Sequence, residues 1–105
     1  MAKSESGLFI GATGVNFSAP NGSASASASI PNGADGNRPK YIRVSVASGA
    51  IYFKLDPTSA TATNTDTLIA VSDSQIIAVS GNTKFSAYGI GAVVVGVVTP
   101  LEDIA

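Results

Sequence analysis

The sequence predicts an all-β domain, a β-sandwich of jelly-roll type with about eight short antiparallel strands. Short runs of alternating or continuous apolar residues recur along the chain, and clusters of Gly, Asn, Asp, Ser and Pro separate them. No segment has the periodicity of an amphipathic helix. The 105 residues fit one domain, which we place at 15–105, after an N-terminal arm at 1–14.

The first predicted strand is 15–19, and a second lies in the tract 23–30, where serine and alanine alternate. The alternation puts four side chains on one face at strand period: Ala24, Ala26, Ala28 and Ile30. Copies of Pro-Asn-Gly on either side of the tract are turn signals. A flexible linker has the same composition, but it does not require strict alternation, so we favour a strand.

The segment 41–55, YIRVSVASGAIYFKL, predicts a β-hairpin that turns at Ser48-Gly49. This register pairs apolar residues across the ladder: Val46 with Ile51, Val44 with Phe53, and Ile42 with Leu55. The opposite face is mostly polar, as expected for strands that pack on one side only. We therefore expect Val44, Val46, Ile51, Phe53 and Leu55 in the core.

The remaining chain continues the β pattern. Residues 56–66 read as a long loop or a weak edge strand, because turn residues are followed by alternating threonines. Four more apolar runs separated by turn residues predict strands at 67–71, 75–79, 84–88 and 92–99.

Composition limits the classes of function. The chain has no histidine or cysteine, which excludes imidazole catalysis, thiol nucleophiles and ordinary zinc sites. We expect no enzyme activity, no catalytic or metal-binding residues and no cofactor. Four aspartates fall in predicted turns, where bonding to the backbone explains them: Asp35, Asp56, Asp66 and Asp73. A calcium site assembled from separate loops is the alternative.

Charge and hydropathy limit the partners. Charged residues make up only 12% of the chain and its net charge is -1, which argues against nucleic-acid binding through a phosphate-attracting field. No apolar run approaches membrane-spanning length and nothing reads as a signal peptide, so we expect synthesis in the cytoplasm and no membrane partner.

Two surfaces are candidates for contacts with other chains. The hairpin register sets Arg43 opposite Lys54, and their face forms either a solvated surface or a docking patch for an acidic partner. The candidate docking residues are Arg38, Lys40, Tyr41, Arg43, Tyr52 and Lys54.

The last strand, AVVVGVV, is apolar on both faces. We expect one face, with Val94 and Val98, to meet another subunit of a homo-oligomer, with a trimer favoured. A lean core without disulfides supports this expectation. The arm or a loop could cover the same face instead.

The order of elements resembles small structural proteins of tailed-bacteriophage virions. It runs from a small-residue strand ending at Ile30-Pro31 through YIRVSV, IYFKL, ATATNTDTLI and QIIAVSGNTKFSAYG to AVVVGVVTPLE, over roughly Ser23 to Glu102. The resemblance implies a capsid decoration, or cement, protein. Such a protein is made in the host cytoplasm, binds the major capsid protein, commonly as a trimer, and stabilises the head from the capsid surface.

Two alternatives remain at this stage. Related β modules also occur in phage tails, fibres and head-tail connectors. A carbohydrate-binding β-sandwich that stacks sugars on Tyr41, Tyr52 or Tyr88 is a more distant possibility.

Overall fold

The computed structural model describes residues 8–10, 13–71 and 73–103, of which 8–10 and 102–103 are described by their backbone only. These residues contain nine β-strands and no helix, which confirms the all-β prediction. The strands are β1 (Leu8–Ile10), β2 (Val15–Ala19), β3 (Ala28–Ser29), β4 (Tyr41–Val46), β5 (Ala50–Asp56), β6 (Thr67–Ile69), β7 (Ser74–Ala78), β8 (Lys84–Ile90) and β9 (Val94–Asp103).

The strands form two antiparallel sheets. In sheet A the order is β1-β9-β4-β7, and β2 pairs with β9 beside β1. In sheet B the order is β3-β8-β5-β6. The pairs are nested along the chain, since β2 pairs with β9, β3 with β8, β4 with β7 and β5 with β6. The β4–β9 and β5–β8 ladders join these pairs into sheets.

The inward faces of the two sheets share one hydrophobic core. Its centre is aromatic: the Phe53 and Phe85 rings stack with centroids 5.6 Å apart, and Phe17 from sheet A packs against both. Gly96 lies opposite Phe17 in the ladder, and a Cβ there would lie 2.5 Å from Cζ of that ring. The glycine in the middle of β9 therefore makes room for the Phe17 ring.

The two strands predicted at 41–55 do not pair as a hairpin, although the side chains predicted to face the core do face it. β4 pairs with β7 and β9 in sheet A, whereas β5 pairs with β6 and β8 in sheet B. Residues 47–49 therefore connect the two sheets. Ile42, Val44, Val46, Ile51 and Phe53 are buried as predicted, and Leu55 is partly buried against the core.

The serine-alanine tract forms less strand than predicted, because serine side chains replace part of the backbone ladder. Only Ala28–Ser29 is a strand, with an isolated bridge from Ala24 to Tyr88. Ser25 instead bonds β8 twice: its N–H donates to the Ala87 carbonyl at 2.7 Å, and its Oγ accepts from the Ala87 N–H at 2.9 Å. Serine hydroxyls compete in this way with regular pairing.

The strand predicted at 15–19 is confirmed, whereas the predicted arm at 1–14 contains a strand that pairs with the domain. Leu8–Ile10 forms β1 and pairs with Leu101–Asp103 of β9, so this part of the segment is not separate from the sheet. Residues 1–7 and 11–12 lie outside the described residues.

The last strand faces the other way from the prediction. Val94 and Val98, expected at an intersubunit surface, are fully buried between the sheets. Val93 and Val95 are exposed and Val97 is half-buried, on the outer side. The alternation is as predicted, and both faces of this strand are apolar. The core around Phe17 covers the face that carries Val94 and Val98.

Candidate interaction surfaces

The predicted docking residues lie on two opposite outer faces of the molecule. Tyr41 and Arg43 alternate with buried residues of β4, so they face outward from sheet A. Tyr52 and Lys54 alternate in the same way on β5 and face outward from sheet B. The predicted Arg43–Lys54 pair does not form, because these strands do not pair with each other.

On the sheet A side, a cationic group remains together. Arg38 and Lys40 are exposed in the loop that leads into β4, and Tyr41 and Arg43 follow on the strand. Arg43 lies between Ile76 and Thr99 in the ladders. It is half-buried, and its Nε is buried without a hydrogen-bond acceptor.

On the sheet B side, an aromatic pair is partly exposed. Tyr52 and Tyr88 are directly opposite each other on β5 and β8, with ring centroids 5.8 Å apart at an interplanar angle of 62°. Leu68 continues the row on β6, and Ala24 continues it on the other side. Only tertiary pairing brings Tyr88 to Tyr52; Tyr41 is on the other sheet.

The loop at 57–66 covers another part of the outer face of sheet B. Ser86 is fully buried there, and its hydroxyl is satisfied: Oγ accepts from the Ala62 N–H at 3.1 Å and donates to the Ser25 carbonyl at 2.9 Å. Ser27 Oγ accepts from the Ala60 N–H at 3.0 Å. The small residues of both segments allow this close packing.

The four aspartates in turns bond to nearby backbone N–H groups, as predicted. Asp35 accepts from Asn37, Asp66 from Thr63, and Asp73 from Ser74, at 2.7 to 2.9 Å. Asp56 accepts from the Thr58 and Ser59 N–H groups at 3.0 and 3.2 Å, and these bonds, Thr58 foremost, lower its pKa. No group of three or more acidic residues within the described ranges could hold a metal ion.

The two ends of the molecule differ in charge. One end consists of the loops at 20–23, 47–49 and 91–93 and of residues 70–71 and 73 of a fourth connection, together with the adjoining strand ends, and we call it the apolar end. Asp73 is the only charged residue in its sequence. The opposite end consists of the loops at 31–40, 57–66 and 79–83, and we call it the charged end. It contains these charged residues: Asp35, Arg38, Lys40 and Asp66.

Exposed apolar side chains concentrate at the apolar end. Val93 is 61% exposed and Val71 is 58% exposed, both in connections between strands. Near them, three more large apolar residues are exposed: Leu68, Ile90 and Val95. This segregation of charge was not predictable from the sequence, because it depends on which loops the topology brings together. The sequence signal for this segregation was the scarcity of charged residues in the loops of the apolar end.

A concavity of about 490 Å³ adjoins this end on the outer side of sheet A. Its floor is β9, and its walls come from β2 and the β4–β5 connection. The lining residues are Asn16, Phe17, Ser18, Ala47, Val95, Gly96 and Val97. It contains no charged group, so it is suited to an apolar or hydroxyl-bearing side chain of another molecule.

Comparison with protein-family models, with curated proteins and with solved structures finds no match to this chain. Among the described residues, no helix is long and apolar enough to cross a membrane.

Proposed function

We propose that this chain is a non-enzymatic structural protein of a bacteriophage virion, a jelly-roll capsid decoration protein that binds the major capsid protein and stabilises the head. The nested strand pairing carries the proposal. A jelly roll is a long antiparallel hairpin folded into two sheets, and the pairs β2–β9, β3–β8, β4–β7 and β5–β6 have this order. Viral capsid domains often use the jelly-roll fold, and we extend this association to the present chain by analogy.

The surface chemistry agrees with attachment to a protein shell. Large parts of both outer faces carry hydroxyl and small apolar side chains rather than charges. In this proposal Arg38 and Lys40, with Tyr41 and Arg43, contact an acidic surface of the major capsid protein. The chain acts as a homo-oligomer, with a trimer favoured, on the outside of the capsid after synthesis in the host cytoplasm.

Mass spectrometry of purified virions tests the location. Virions of the phage that encodes this chain are purified on a gradient, and heads are separated from tails. We expect the chain in the head fraction at many copies. Recovery with tails or connectors supports the alternative tail, fibre or connector role, and absence from both fractions eliminates a virion protein.

Charge reversal tests the docking surface. We expect the Arg38→Glu/Lys40→Glu variant to lose co-sedimentation with capsids that lack this protein. Lys54→Glu is the matched control, because Lys54 is on the opposite face of the sandwich. Equal binding by both variants would remove this loop as the contact and direct attention to β1 and the preceding residues.

The tyrosine pair favours a second candidate function, carbohydrate binding. Tyr52 and Tyr88 present adjacent, partly exposed rings beside Leu68, and aromatic rings of this kind can stack against sugar rings. Lectins also use jelly-roll folds. Titration with a panel of glycans, followed by amide NMR shifts, tests it. Shifts centred on these tyrosines and abolished in Tyr88→Ala support sugar binding, and their absence excludes it.

A further inference from the structure

We infer that the apolar end is the surface through which copies of this chain associate. The inference rests on the self-association included in the proposed function and adds its location. Val94 and Val98, the residues predicted for this interface, are buried in the core. The interface that we infer uses exposed residues instead: Val71, Ile90, Val93 and Val95.

These exposed apolar side chains share one end of the sandwich. Val71 and Val93 come from loops that connect sheet A with sheet B, and Ile90 and Val95 lie at the adjoining strand ends. They therefore cluster around one end of the sandwich, and the uncharged concavity of about 490 Å³ continues from them beside Val95. Clustered exposed apolar residues mark interaction sites, whereas single ones are ordinary.

The scarcity of charge at this end identifies the occupant. An anionic lipid surface, a nucleic acid or an acidic protein would require cations, and this end has none in its sequence. A basic partner would find only Asp73, whose carboxylate already accepts from Ser74. A second copy needs no complementary charge, because the same uncharged residues meet across a symmetry axis.

This arrangement also directs the charged ends outward. The cations Arg38 and Lys40 lie in a loop at the charged end. Copies that meet at their apolar ends thus keep these like charges apart. They also leave the cationic loops accessible for the partner proposed above.

Backbone hydrogen bonds hold the loops of the apolar end in place. The Val46 N–H donates to the Asp73 carbonyl at 3.2 Å, and the Ala47 N–H donates to the Val95 carbonyl at 3.1 Å. The Gly89 N–H donates to the Pro20 carbonyl at 2.8 Å. Each bond ties one loop to a neighbouring element, so less conformational entropy is lost on association.

Cysteine crosslinking tests the contact, because the chain has no cysteine of its own. Val93→Cys is oxidised at micromolar concentration, and we expect a covalent dimer of twice 10.4 kDa. Ala34→Cys is the matched control, since Ala34 is exposed in a loop at the charged end. We expect no comparable dimer from it. Equal crosslinking of the two variants would overturn the inference.

Light scattering after size exclusion tests whether the same residues maintain the assembly. We expect wild type at a multiple of 10.4 kDa and the Val71→Ser/Val93→Ser variant at the mass of one chain. Ile76→Ser is the control, because Ile76 is 49% exposed on the outer face of sheet A but lies within β7 and not in the loops of the apolar end. Thermal unfolding checks that every variant folds.

Three results contradict the inference. If the double serine variant remains oligomeric, or if Ile76→Ser dissociates the assembly instead, the interface is elsewhere. A wild-type monomer at tens of micromolar excludes self-association at that concentration. A monomer that is nevertheless recovered in virion heads overturns this inference and leaves the virion function standing.

Discussion

Replacing Phe53 by alanine is a direct test of the two-sheet core. Phe53 is 3% exposed on β5 and contacts aromatic rings from both layers. Its centroid lies 5.6 Å from that of Phe85 in sheet B and 6.3 Å from that of Phe17 in sheet A. Truncation therefore removes buried surface and also leaves a cavity between the sheets.

The expected loss is at the upper end of the usual range. Phe→Ala in a core costs about 3–5 kcal/mol, and aromatic pairs contribute about 0.5–1.5 kcal/mol beyond their buried area. Because Phe53 has two such partners, we expect a loss of about 4–5 kcal/mol. At about 4 °C per kcal/mol for a chain of this length, Tm should fall by roughly 16–20 °C.

Urea unfolding followed by circular dichroism measures this loss, with thermal unfolding as a second measure. Leu68→Ala is the control, because Leu68 is exposed on the outer face of the same sheet. We expect it to change stability by no more than about 0.5 kcal/mol. A loss below about 1 kcal/mol for Phe53→Ala, with an unchanged m-value, would show that this ring is not between the sheets.

Three further substitutions test local features. Gly49 has φ +92°, and a Cβ there would lie 2.8 Å from Val94 Cγ2, whereas Gly22 has φ +70° and open space. In chemical denaturation, Gly49→Ala should lose about 1–3 kcal/mol more than Gly22→Ala; equal losses would refute the contact. Ser86→Ala leaves the Ala62 N–H without its acceptor, so amide hydrogen exchange at 60–63 should accelerate. In the control variant Ser29→Ala, exchange at these residues should not change. Because hydrogen bonds lower the Asp56 pKa, its ionised form stabilises the fold above about pH 4 and this contribution disappears as pH falls further. Wild type should thus exceed Asp56→Asn in stability at pH 6, with the difference shrinking at pH 3; a pH-independent difference would contradict this account.

The sequence was sufficient for the facing of most strands. Alternation in a strand is a local property, so the inward positions of Val44, Val46, Ile51 and Phe53 follow without knowledge of their partners. The turn positions of the aspartates are equally local, because each bonds within three residues of itself. The candidate surfaces were less predictable, since each depends on residues far apart in the chain.

The turn at Ser48-Gly49 illustrates why strand pairing was not predictable. A short turn containing glycine closes a hairpin, and it also permits the connection between two sheets that this chain uses. Arg43 and Lys54 therefore came to opposite faces, although they are 11 positions apart in sequence.

Short strands, few charges and alternating apolar residues were predictable for this chain, because they are properties of local segments and of composition. Tertiary packing determines which strands pair and which apolar face of β9 the core covers. It also brings together at one end four loops whose single charged residue is Asp73. Backbone hydrogen bonds between strands carry no residue identity, so strand pairing depends on side-chain packing between the sheets, which centres on Phe17, Phe53 and Phe85.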